Sequence, residues 1–194
     1  MARSIAILAN GPSLRELHTR DLLRKIPCET FGVNASWRYQ RASYHLMIDE
    51  AQWQAYQQEE HARPFDSMIV PRNTKWGGEV DGSYAKERHW TRLLDADWPK
   101  WSWYPFHFGV YAYKNVTYAA IQLAIGMGYT SLYFIGLDLY NEDGSDYIHS
   151  ARQREAFGFA AGILRPSGIR LINCNSRSRC HAFKRMDFDR AFDL

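Results

Sequence analysis

Small polar side chains stand where the apolar runs of this chain stop. The run at residues 4–9 ends in Asn10-Gly11-Pro12-Ser13, and a helix-like pattern follows at once. Gly11 lets backbone approach a ligand closely. Pro12 suits the first position of a helix, where its missing N–H costs nothing. A helix N-terminus then offers N–H groups and partial positive charge to a phosphate, with Ser13 able to cap or donate. An ordinary strand-to-helix connection uses the same residues. The turn is neither G-x-G-x-x-G nor a P-loop, so dinucleotide and Walker-type binding are not supported.

Later run ends carry the same kind of residue. Asn34 and Ser36 follow the second, Asp49 and Glu50 the third, and Asp138, Tyr140, Asn141 and Asp143 the strongest. Asn175, Ser176 and Ser178 follow the last. A second helix start lies at 114–124, where Asn115 or Thr117 can cap; its N–H groups make either a second anion site or a plain cap. Residues 141–144 read as a turn, and His149 follows at the next helix start, between Tyr147 and Ser150. A histidine there can act as a general base near neutral pH, although a lone histidine is more often structural or exposed. Cys174, Cys180 and His181 do not supply four ligands at zinc spacing.

Strands at 4–9, 29–34, 44–49, 67–71, 131–139 and 169–174 must position these groups. They alternate with helical patterns near 14–23, 50–60, 117–127 and 150–164, the last stopped by Pro166-Ser167-Gly168. That alternation predicts an α/β fold, a Rossmann-like, mainly parallel sheet flanked by helices. Ligands of such sheets bind beyond the carboxyl ends of the strands, where the polar groups cluster. Between 72 and 114 the rhythm breaks. Gly77-Gly78, Asp81-Gly82 and Trp76, Trp90, Trp98, Trp101 and Trp103 fall there. The segment reads as an aromatic-rich insertion over the sheet: either a satellite core or a surface that stacks on a sugar, a base or a protein.

The length of 194 residues fits one domain over 1–194 with a full-sized core. Apolar residues make up 46% and charged residues 23%, and no run is apolar enough to span a membrane. Polar Asn10-Gly11 interrupts the first apolar run too early for a signal sequence. Three scattered cysteines, Cys28, Cys174 and Cys180, make no disulfide framework and point to a reducing cytoplasm. The net charge of +3 permits an anionic substrate and leaves nucleic acid and a homo-oligomer open. Arg177, Arg179, Lys184 and Arg185 form either a solvated face or an anion-facing patch.

The stretches "ILANGPSL", "YAAIQLAIGMGYTSLYFIGLDLYNEDGS" and "YIHS" together resemble the family 42 bacterial sialyltransferases and the wider superfamily with the 6-hydroxymethylpterin diphosphokinase-like proteins. The resemblance covers about the first 50 residues and about 114–183. It implies a Rossmann-like fold and transfer of a sugar from a nucleotide donor with inversion. It further implies His149 as general base on the acceptor hydroxyl and Tyr147 as a stabiliser of the leaving phosphate. Asn10, Gly11, Ser13 and Asn34 would contact the donor nucleotide, near the helix start at Asn115 and Thr117. The sialyltransferases carry a long lid between the glycine-containing strand end and the histidine; here only 140–148 intervene. Asp49 stands where they have asparagine, and suits a ribose hydroxyl or Mg²⁺ as well as a base edge.

Three functions follow. A glycosyltransferase would join a nucleotide-sugar donor to an acceptor glycan or other hydroxyl compound, with no cofactor. A diphosphokinase-like phosphoryl transferase would hold Mg²⁺ on Asp49 and Asp138. A non-catalytic nucleotide- or partner-binding protein would keep the fold alone.

Overall fold

The computed structural model describes residues 3–59, 65–74, 85–113 and 115–194. Trp76, Gly77-Gly78 and Asp81-Gly82 lie outside the described residues. Eight strands form one sheet in the order β10-β9-β8-β1-β2-β3-β4-β5, with every pairing parallel. They are β1 (Ser4–Leu8), β2 (Glu29–Val33), β3 (Tyr44–Leu46), β4 (Phe65–Pro71), β5 (Ala85–Thr91), β8 (Ser131–Ile135), β9 (Arg170–Asn173) and β10 (Lys184–Arg185). Short strands β6 (Leu93–Leu94) and β7 (Val110–Tyr111) pair separately. The helices are α1 (Pro12–Thr19), α2 (Glu50–Gln57), α3 (Pro105–Phe108), α4 (Val116–Gly126), α5 (Ser150–Leu164) and α6 (Phe188–Ala191). None of the described helices is long and apolar enough to cross a membrane.

Strand order reverses at β1: strands 2 to 5 extend to one side, and strands 8 to 10 to the other. This is a doubly wound, Rossmann-like arrangement, and such sheets open a crevice at the reversal. Side-chain alternation sorts the core. Ile5 and Ile7 face α4 and α5, whose Tyr118, Leu123, Phe157 and Leu164 cover one side. Ala6 and Leu8 face Leu14 and Leu17 of α1 and Phe188 of α6 on the other. Both faces of β1 are therefore apolar, as a central parallel strand requires. Helix α4 is buried from Val116 to Ala124.

Two strands end earlier than their hydrophobic runs. Gly136 at φ +78 and Leu139 at φ +59 turn the chain out of the ladder after β8. The Ile48 amide leaves the ladder after β3 to donate to the Asn34 side chain. Residues 85–91 correct the reading of 72–114 as wholly an insertion over the sheet. They form β5, the parallel edge partner of β4, in register from Phe65–Ala85 to Pro71–Thr91. Its charged sequence hides the strand because the outer edge is solvated. The aromatics divide. Trp90 packs on the cluster around Trp53, and Trp101 meets Tyr118 edge-on. Trp98 and Phe108 are 58% and 70% exposed. Gln122 holds the 102–111 stretch to α4, accepting from the Ser102 and Tyr111 amides and donating to the Tyr111 carbonyl.

Candidate functional site

The reversal is built by the turns after β1 and β8. The Ala9 amide donates to Ile135 O and the Gly11 amide to Gly136 O, at 2.7 and 2.8 Å. A Cβ on Gly11 would sit 2.4 Å from Gly136 O and 2.6 Å from Asp138 Oδ2. Glycine is required here for close approach to the neighbouring turn.

Asp138 closes this junction. Its carboxylate, 1% exposed, accepts the Ser13 amide on Oδ2 and the Ser13 hydroxyl on Oδ1, both at 2.7 Å. Oδ1 also accepts Asn175 Nδ2 at 2.7 Å. Pro12 has no N–H, and the Leu14 amide donates to Gly11 O. The first-turn donors expected to receive a phosphate are thus already spent. The protein supplies its own anion at the positive end of α1. The same geometry does not fit Asp138 as a Mg²⁺ ligand, because both oxygens face N–H or O–H donors.

Beyond this clamp lies a cleft of about 720 Å³. Asn10, Gly11, Asn34, Asp49, Asn115, Thr117, Asp138 and Tyr147 all line it, drawn together from five connections. Ser13 is turned away onto Asp138 and opens on a smaller pocket behind α1. His149 does not line the cleft; it is exposed at the start of α5, two residues past Tyr147, at φ +69. A left-handed conformation is rare outside glycine, and the functional sites of proteins collect such residues. Asn34 and Leu139 in the cleft wall share it.

Each wall residue has a local cause. Asn34 accepts the Ile48 amide on Oδ1 at 3.2 Å and His45 Nε2–H on its carbonyl at 2.9 Å. His45 is fully buried and stacks on Phe65, ring centroids 4.4 Å apart. Desolvation pulls its pKa down to about 4, against the opposing pull of the Asn34 carbonyl, so the ring is neutral at pH 7. Asp49 Oδ1 caps α2 through the Ala51 amide. Asn115 Oδ1 caps α4 through the Thr117 and Tyr118 amides at 2.7 and 3.3 Å, the plain-cap alternative. The Tyr140 hydroxyl accepts Asn175 Nδ2 at 3.1 Å, and Tyr140 bridges to Asp146 to fold the 140–146 loop. Arg179 fastens that loop through Asp146 and Gly144 O.

Arg15, Tyr39 and Glu142 also line the cleft and were not singled out from sequence. Arg15 lies in the first turn of α1, which begins at Pro12. Cys174 and Cys180 are buried, their thiols pushed up to about 12 by desolvation, which keeps them protonated and poor metal ligands.

A doubly wound sheet with a polar cleft at its reversal defines a Rossmann-like α/β protein. Solved structures share the fold. The MAf glycosyltransferase from Magnetospirillum magneticum AMB-1 matches at a TM-score of 0.69 and 14% identity, over 97% of this chain. The chain spans about a third of that protein, 34% of its length. The sialyltransferase CstII from Campylobacter jejuni, in complex with the substrate analogue CMP-3FNeuAc, matches at 0.54 and 12% identity, over 95% of this chain and 85% of that one. At these identities the likeness is one of fold. No protein-family model matches the sequence, and no curated protein does.

Proposed function

We propose that the cleft binds a nucleotide-sugar and that the chain transfers the sugar to an acceptor hydroxyl. The observation that carries this reading is the convergence of seven polar residues from strand ends and the connections to helix starts on one cleft at the sheet reversal. The fold shared with two glycosyltransferases supports it.

On this reading Asn10, Asn34, Asp49, Asn115 and Thr117 contact the nucleotide. Asp49 suits the ribose diol, since its second oxygen has no part in the α2 cap. Ser13 and Asp138 act through position, holding the turns of Asn10 and Leu139. On the same reading His149, two residues past the cleft-lining Tyr147, takes the proton from the acceptor hydroxyl. That oxygen attacks the anomeric carbon, the bond from that carbon to the phosphate oxygen breaks, and the nucleotide leaves with the electron pair. Tyr147 donates to the departing phosphate oxygen. A positioned base contributes about 10²–10⁴-fold. The reaction needs no metal, and Asp138 is unsuited to hold one. A thermal-shift panel of CMP-, UDP- and GDP-sugars beside ATP tests the donor class, since a ligand of the native state raises the melting temperature. Stabilisation by ATP alone, with turnover abolished by EDTA, would return the phosphoryl-transfer reading.

A further inference from the structure

Arg15 is the one cationic side chain among the described residues that line the cleft, against Asp49, Glu50, Asp138 and Glu142. Asp138 is spent on Ser13 and Asn175, and Asp49 caps α2 through one oxygen. A nucleotide therefore meets few positive groups here. The α1 amides have been used, which leaves Arg15 as the described side chain of the right charge.

Arg15 is held by a carboxylate of the same wall. Its Nη1–H donates to Glu142 Oε1 at 2.7 Å, joining α1 to the loop after β8. Both side chains are more than half exposed, at 61% and 69%. Exposed pairs of this kind hold weakly and exchange readily. The loop does not depend on this pair, because Arg179 ties its far arm at Asp146 and Gly144. Glu142 can rotate away while the loop stays in place.

We propose that Arg15 receives the phosphate of the bound nucleotide, and that Glu142 occupies its guanidinium in the free protein and releases it on binding. This rests on the reading of the cleft as a nucleotide site. The planar guanidinium fork matches the paired oxygens of a phosphate, which displace a single solvated carboxylate held through one oxygen. Glu142 thereby sets a threshold: a nucleoside without phosphate does not free Arg15.

Calorimetric titration of the full chain with CMP, UMP, GMP and AMP, each beside its nucleoside, tests this. The readout is the ratio of nucleotide to nucleoside affinity. R15A lowers that ratio by about 10- to 100-fold, the usual weight of a charge-assisted hydrogen bond, and R15K recovers part of it. E142Q raises nucleotide affinity by about two- to fivefold and leaves nucleoside affinity unchanged. An unchanged ratio in R15A and R15Q overturns Arg15 as the receptor. No gain in E142Q overturns the exchange. A wild-type chain that binds none of the four nucleotides is a different result, and sinks the nucleotide reading itself.

Discussion

Ser13 and Asp138 are joined twice: backbone amide to Oδ2 and hydroxyl to Oδ1, each at 2.7 Å. One carboxylate thus caps α1, ties the turn after β1 to the turn after β8, and fixes the cleft's inner wall. D138A leaves the Ser13 amide, the Ser13 hydroxyl and Asn175 without their acceptor in a buried place. The expected loss is about 3 kcal/mol or more in urea denaturation. S13A removes one bond and should lose about 1 kcal/mol. D138A as stable as wild type would show that the clamp does not hold the junction. Adding Mg²⁺ should restore nothing in either variant.

Gly11 presses on that same clamp. An alanine must displace Gly136 O or the Asp138 carboxylate, since its Cβ would stand 2.4 and 2.6 Å from them. G11A should lose about 1–3 kcal/mol and weaken nucleotide binding beyond what the stability loss explains. A G11A chain of wild-type melting temperature and affinity would mean the two turns are free to part.

His45 makes stability depend on pH. Its folded pKa of about 4 lies below the ordinary 6.5, so the unfolded chain binds the proton more readily. The contribution is fully present above pH 6.5 and is lost as pH falls through the window from 6.5 to 4. Its size is on the order of 3 kcal/mol. Urea midpoints across pH 4–7 should fall with acid in wild type and fall less in H45Q. Equal slopes would place the acid sensitivity elsewhere.

Much of this was legible in the sequence. Helix α5 occupies 150–164, as its spacing predicts, and the strand-end polar groups mark the cleft. What escaped depends on contacts between distant residues. Ser13 and Asp138 each read as ligand groups, because only the parallel pairing of β1 with β8 shows that they satisfy one another. β5 escaped because a solvated edge lets charged residues stand in a strand. Arg15 escaped because a surface arginine on a helix is common, and only the position of the 140–146 loop gives it meaning.

The most direct test of the central claim is nucleotide release from CMP-, UDP- and GDP-sugars in the presence of EDTA and an acceptor, with wild type beside H149A. The account predicts release by wild type, donor binding retained in H149A, and a rate there lower by about 10²–10⁴-fold. Release by H149A at the wild-type rate, or release by wild type that EDTA abolishes, would contradict it.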